Sequence, residues 1–296
     1  MATESVPVPK AGARVLAPHE VEFLVGLVEP PQHQTPEELN KDDQLFLAGI
    51  RKRWHSHKLE MPILPKVAIR LGAMLRKDDL SVSEIVTLLD TDPALSVEVL
   101  RTANSAFYGS AVQTTSINEA ILRIGAKRLQ GILIMAHMKA KVLRGGSFQG
   151  KAELLMDLAM PLGELASTLA RRNGVHSELC FVRGMLLHVE HLVILGALAD
   201  VSRDHKRALV PTAGALHQAF DQFGHDIRVA VAAAWQLEDI LIGSGPDLAD
   251  EYAGLRHALV WRWLRRPLPV LSHVDAEVLS AAMTGVHPRI PDERAA

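Results

Sequence analysis

One cysteine, Cys180, stands among 296 residues, so no internal disulfide can form and packing alone must hold the fold. Its neighbours are apolar, which points to a buried, unreactive thiol in a reduced, cytoplasmic protein. Aromatic residues make up only 4% of the chain against 48% hydrophobic residues in all. An interior of Leu, Val, Ile and Ala follows, and it suits helix-on-helix packing better than aromatic-rich sheets. Excess charge is missing too: 32 Lys and Arg face 34 Asp and Glu. There is thus no overall electrostatic drive toward nucleic acid or anionic membrane. No long apolar run occurs; the most apolar stretch, 185–199, is interrupted by His188, Glu190 and His191 and is shorter than the roughly 20 residues of a membrane span. The N-terminus lacks a basic segment followed by an apolar run, so it reads as a mobile tail and not a secretory signal. Gly-x-x-x-x-Gly-Lys-Ser/Thr, Gly-x-Ser-x-Gly and His-Glu-x-x-His motifs are all absent, and nothing local would activate Cys180.

What is present is helix punctuation. Asp92 before Pro93 is an N-cap followed by proline at the first helical position, so a helix is predicted to start at Pro93. Ala94, Val97, Leu100 and Ala103 recur at helical spacing, while Glu98 and Arg101 are expected to face water. Asn104 and Ser105 offer the backbone other hydrogen bonds and Gly109 can take positive φ, so the helix should stop there. Ser116 with Glu119 fits a capping box ahead of the stripe Ile117, Ile121 and Ile124, which Gly125 closes. The following helix, from Lys127, carries Leu129, Ile132, Leu133 and Ala136.

Before this region, helices are predicted over 18–28 and about 37–54, separated by Pro30 and Pro31. The second ends in a basic run from Arg51 to Lys58, either an anion contact or a solvated helix end favoured by the macrodipole. After Gly145 and Gly146, Leu154, Leu155, Leu158, Leu162, Leu165 and Leu169 form a core stripe that stops near Asn173 and Gly174. Ser177 is a candidate cap for one helix running through Cys180 and His188 to Ala199. A turn at 243–246 opens a C-terminal extension, where Trp261, Arg262, Trp263, Arg265 and Arg266 have the composition of an interface helix or of tryptophan docked on the body.

The blocks Met61-Pro62-Ile63-Leu64-Pro65, Ser81-Val82-Ser83-Glu84-Ile85, Asp92-Pro93-Ala94-Leu95, Ala103-Asn104-Ser105-Ala106-Phe107-Tyr108-Gly109 and Ser116-Ile117-Asn118-Glu119-Ala120-Ile121 resemble the HDOD domain in order and spacing. That is a helical regulatory module related to the HD metal-dependent phosphohydrolases. Gly184-Met185-Leu186-Leu187-His188 and Phe223-Gly224-His225 with Trp235 are similar to its later blocks. The resemblance implies an all-α fold of two packed helical subdomains, about 59–146 and 147–245, with extensions at 1–58 and 246–296. It also implies a signalling role through a protein partner, with a nucleotide as a second class of ligand.

HD enzymes hold divalent metal with an adjacent His-Asp pair, a distant His and a later Asp. Here the pair reads His188-Val189, and the region of the first histidine reads Leu155-Met156-Asp157-Leu158. No catalytic residue, metal or cofactor is therefore expected; His188, His191 and Asp226 are the fallback ligands for a residual phosphohydrolase. Partner contacts are assigned to the turn residues Asn104, Ser105, Phe107 and Tyr108, because exposed loops on rigid scaffolds carry function; Asn104 could equally serve only to end its helix. Lys127, Arg128 and Lys139 are the candidate anion or nucleic-acid contacts, although nucleic acid and membrane are both disfavoured as partners.

Overall fold

The computed structural model describes residues 15–31, 35, 38–64, 66–75, 81–105, 108, 112–142, 148–243, 249–264, 273–283 and 290–291. The N-terminal tail to residue 14, Phe107, Gly109, the Gly145–Gly146 break, Arg265 and Arg266 lie outside them. The fold is all-α. Among the described residues the one extended pairing is parallel and two residues long, Val15–Leu16 (β1) on Ile290–Pro291 (β2), and it joins the two ends of the chain.

Two helices precede the signature region. Helix α1 (Pro18–Gly26) starts with proline at its first position, and the Glu20 carboxylate accepts from the Ala17 N–H at 3.0 Å. Helix α2 (Lys41–His55) starts later than predicted because Asn40 caps it, its Oδ1 accepting from the N–H groups of Asp42 (2.8 Å) and Asp43 (2.9 Å). Both pack on the main body. The fully buried Asp43 accepts from the Thr212 N–H at 2.7 Å, Asp42 accepts from Val210 N–H and Arg207, and Arg53 pairs with Asp204 at 2.6 Å.

The signature region forms α3 (Lys66–Leu75), α4 (Val82–Leu89), α5 (Pro93–Ala103), α6 (Ile117–Ile124) and α7 (Ala126–Val142). Asp92 caps α5 as the sequence indicates, its Oδ1 accepting from Leu95 N–H at 3.3 Å. The buried face of α5 is not the predicted one: Leu95, Val99 and Ala103 are inside, while Ala94 is exposed and Val97 is 64% exposed. Both rows have helical spacing, and the row with the larger Leu95 turns inward against α6 and α7. Positive φ at Gly125 makes the α6–α7 corner. Helix α7 is buried over residues 129–135 and touches α3, α5, α6 and the next two helices.

Helix α8 (Gln149–Arg172) buries all six predicted leucines and packs most extensively on α9 (Ser177–Met185). The backbones nearly touch there: a Cβ on Gly184 would lie 2.4 Å from Leu162 O, and one on Gly163 would lie 2.9 Å from Phe181 O. Ser177 is the first helical residue and His176 the cap position, without a side-chain cap bond. The predicted single helix is broken at 186–188, and α10 (Val189–Asp204) follows. The corner lets α9 lie along α8 while α10 packs on α2 and α11 (Ala213–Trp235), and Arg228 donates to the Leu187 carbonyl at 2.7 Å. By length and composition the stretch Ser177–Asp204 could cross a membrane, yet two thirds of its most apolar 18 residues are buried in the fold and the corner divides the stretch. Helices α12 (Glu238–Leu241), α13 (Ala249–Trp263) and α14 (His273–Ala282) complete the body, and one buried apolar cluster runs from Leu16 to Met283.

Gly184→Ala is expected to destabilise the protein by about 1–3 kcal/mol in urea unfolding, because the added methyl meets backbone. Gly254→Ala, exposed within α13 with open space around its Cβ, is expected to stabilise by about 0.5–1 kcal/mol.

Candidate functional site

The capped corners predicted from sequence are built as mutual hydrogen bonds. Ser81 and Glu84 form a full capping box: Ser81 N–H donates to Glu84 Oε2 at 3.0 Å, and Glu84 N–H donates to Ser81 Oγ at 3.3 Å. At α6 only half a box forms. Ser116 Oγ accepts from Glu119 N–H at 3.3 Å, but the Glu119 carboxylate accepts from Thr114 Oγ at 2.7 Å and from Arg123 at 2.8 Å. Those two donors hold the Glu119 carboxyl below the usual range, Thr114 most strongly.

Asn104 spans the whole turn between α5 and α6. Its Nδ2 donates to Thr114 O and its Oδ1 accepts from Thr114 N–H, both at 2.8 Å, so one side chain pairs with both backbone groups of a residue ten positions away. Ser105 donates to Thr102 O at 2.7 Å. Tyr108 turns inward toward Arg128, and burial pushes its phenol up to about 12. Three of the four turn candidates thus make internal contacts, and Phe107 lies outside the described residues. Among the described residues the large apolar side chains exposed on this hairpin are Val97, Val112 and Leu122, the last two 71% and 68% exposed. Sequence reasoning placed Val97 in the core stripe and had no signal that set Val112 or Leu122 apart.

The basic candidates do not form one patch. Arg128 pairs with Glu164 at 3.0 Å, donates to Ser167 Oγ at 3.1 Å and lies 4.6 Å above the Phe181 ring. Lys127 is 3.5 Å from Glu178. Lys139 is exposed, about 18 Å farther along α7. Cys180 is half-buried, not fully buried, because neighbouring Leu179 turns to solvent; burial raises its thiol pKa and keeps it a weak nucleophile.

A different group of polar side chains is buried at the start of α10. His188 and His191 meet edge to face with ring centroids 4.8 Å apart, and Phe220 of α11 lies 4.1 Å from His191 and 5.3 Å from His217. Glu190, buried, accepts from Arg228, and His191 Nδ1 lies 3.1 Å from Glu190 Oε1. Burial pushes the Glu190 carboxyl up, but His191 and Arg228 outweigh it and leave it below the usual range. Burial depresses His188 strongly, with His191, Arg256, Arg228 and His217 adding to the effect. His217 falls to about 4 through burial and His191, offset in part by the Phe23 backbone and Asp221. Gly26 of α1 lies flush against this ring, where a Cβ would come within 2.2 Å of His217 Nε2. The sequence signal for Arg228 was a lone cation beside the buried Ile227 on α11; Arg256 of α13 carried none.

The order of the capped corners now has an anchor at both ends, since Trp235 of the last block donates its indole N–H to Pro62 O of the first at 2.7 Å. Residues 61–244 match the HDOD domain family. The chain belongs to that family. It is 25% identical over 193 residues to an uncharacterized protein of Treponema pallidum (strain Nichols), a match covering 62% of this chain and 37% of that relative. The chain therefore spans little more than a third of the relative it matches. Among solved structures it is similar to a Shewanella amazonensis protein provisionally named a metal-dependent phosphohydrolase, with TM-score 0.51, 19% identity and 82% and 83% of the two chains covered. An HDOD domain protein of unknown function from Geobacter sulfurreducens gives TM-score 0.50, 20% identity and coverage of 81% and 89%. These likenesses carry the fold.

Val189, the residue that the resemblance sets at the HD aspartate, is 1% exposed and part of the core cluster. Valine has no donor atom for a metal. Asp226, the fallback acid, is exposed on α11, and among the described residues no three His, Cys, Asp or Glu side chains converge as a metal set. The residues present do not fit the HD metal centre.

Asn104→Ala should cost about 1–3 kcal/mol and speed hydrogen exchange at the Thr114 amide, because it leaves both backbone groups of buried Thr114 without that partner. Asn104→Asp, which keeps the acceptor, should slow that exchange relative to Ala. The pH dependence has a defined sign. His217 is depressed from its ordinary 6.5 to about 4, so between those values the unfolded chain binds a proton that the folded chain refuses. Its contribution to stability is complete above about 6.5 and is lost as pH falls toward 4. Urea midpoints against pH should drop less steeply through that window in His217→Gln than in the parent protein.

Proposed function

We propose that this HDOD protein is a non-enzymatic regulatory module that works by docking a signalling protein on the α5–α6 hairpin. Val189 carries the non-enzymatic half of this reading. A buried apolar side chain at the HD aspartate position removes one ligand, and refilling that position would place an acid in a close-packed core. The docking half rests on Val97, Val112 and Leu122, three large apolar side chains exposed on one hairpin, across which Asn104 is tied to Thr114. Exposed apolar groups on a fixed frame are the usual composition of a protein contact. The turn residues themselves act as frame, and contact is made by the residues that flank them.

Leu122→Glu and Val112→Glu test this, since both side chains are already in solvent and their replacement should leave thermal stability within about 0.5 kcal/mol. Affinity capture from the native host should recover a defined signalling protein with the parent chain and lose it with either variant. Recovery unchanged by both variants would remove the docking face.

A further inference from the structure

Helices α2 and α10 meet where both end, and both end in basic residues. They cross at Gly49, where a Cβ would lie 2.6 Å from a Val201 methyl, and Arg53 of α2 pairs with Asp204 of α10 at 2.6 Å. The crossing joins two runs that are far apart in sequence, Arg51-Lys52-Arg53-Trp54-His55-Ser56-His57-Lys58 and Arg203-Asp204-His205-Lys206-Arg207, all exposed except the half-buried Arg53 and Trp54. Both helices stop in the same way. His57 (φ 54°) and Lys206 (φ 53°) are left-handed, and the next N–H groups, of Lys58 and Arg207, donate to Arg53 O at 2.9 Å and Ser202 O at 3.2 Å. Glycine is the low-cost residue at such a stop, and Gly174 serves there after α8. Polar side chains kept in a conformation that L residues rarely adopt point to a use for the side chains themselves. Between the two ends lies an open cleft of about 430 Å³, and every residue lining it is polar or charged. Lys52, Arg53, Lys58 and Arg203 supply its cations. Asp204 is taken by Arg53 and Asp200 by Arg203 at 2.9 Å, so among the described residues Glu60 is the one carboxylate of the lining without an ion pair. With Arg51, Lys206 and Arg207 included, and Asp42 bound to Arg207, the joint carries seven cations against four carboxylates. This excess is local, since the whole chain is formally -2.

We propose that this cleft holds the phosphodiester backbone of a single-stranded nucleic acid, bound without regard to base sequence. A lining without apolar side chains supplies neither the desolvated centre of a protein contact nor a wedge for a membrane, whereas Lys and Arg alone hold a phosphate chain. The cations stand on both sides, Lys52, Arg53 and Lys58 from α2 and the residues after it and Arg203 from α10, so a strand laid between them meets charge from each wall. A cleft of this size admits one strand and not a duplex. Arg53 and Arg203 are held in place by their carboxylates; Lys52 and Lys58, without an ion pair among the described residues, have charge to give to phosphate. The 51–58 run precedes the 61–244 stretch matched to the family and 203–207 lies inside it, so the N-terminal extension completes the surface. None of these residues belongs to the α5–α6 hairpin, so this proposal and the docking reading stand or fall separately.

The test is fluorescence anisotropy on the full chain with a labelled oligothymidylate of about 20 nucleotides, titrated with sodium chloride. Saturable binding is expected, with log affinity falling against log salt at a slope of about -2 to -3.5, the value for roughly three to five phosphates on a single strand. Lys52→Gln combined with Lys58→Gln, both at exposed positions, should keep the parent Tm, weaken binding about 10- to 50-fold near 0.1 M salt and make the slope shallower by about 1.4. Lys206→Gly, which removes a charge and suits the left-handed position, should bind more weakly with no loss of Tm. Lys139→Gln, exposed on α7, should bind as the parent does. A duplex of the same length, phosphatidylserine vesicles, polyglutamate and a mononucleotide should each displace the strand only at a far higher concentration of charge. Absence of strand binding, a slope near zero, affinity unchanged in the double lysine variant, or displacement by any of those competitors at equal charge overturns the proposal.

Discussion

The ion pair between Glu190 and Arg228 is the constraint on which the rest of this molecule depends. It sits where α9 breaks and α10 begins, in a protein whose interior is mostly apolar. Arg228 binds the carboxylate and also donates to the Leu187 carbonyl that the corner leaves free. One guanidinium therefore settles a buried charge and a broken helix together. Removing one partner from such a pair costs about 3–5 kcal/mol, because the other charge is stranded. The corner in turn lets α9 lie against α8 at the Gly163 and Gly184 contact while α10 runs off to meet α2 and α11.

Both extensions close on the same place. From the N-terminal side α1 presents Gly26 to His217, and α2 delivers Asp42 and Asp43 to the 207–212 segment that leads into α11. From the C-terminal side α13 brings Tyr252 and Arg256, and His257 pairs with Glu29 at 3.0 Å, joining the two extensions. The buried histidines are thus walled in by elements outside the shared domain. This accounts for their lowered affinity for protons, since each wall removes water from the rings.

The helix ends were legible because local chemistry sets them. Asp92 before Pro93, Ser116 before α6 and Gly125 specify caps through groups a few residues apart. The α8 stripe was legible because six leucines leave no other face to bury. Two things were not. The inward face of α5 depends on which of two equivalent rows meets α6 and α7, and that choice is tertiary. The break at 186–188 has no proline and no capping side chain; it follows from α9 and α10 having different partners. The site was half legible: His188 and His191 stood out as titratable groups in an apolar run. Arg228 and Arg256 come from helices 40 and 68 positions away in sequence, a juxtaposition that spacing alone does not encode.

In the proposed reading the domain keeps the helical corners of its family, fills the HD aspartate position with the buried Val189, and holds its buried histidines in a polar cluster with Glu190 and Arg228 and no metal. Titration of metal-stripped full-length protein with manganese, followed calorimetrically and with a phosphodiester substrate present in a parallel sample, tests this most directly. The account predicts no saturable one-equivalent site and no hydrolysis above the protein-free rate. One-equivalent binding with chelator-sensitive hydrolysis, both abolished by His188→Ala, would contradict it.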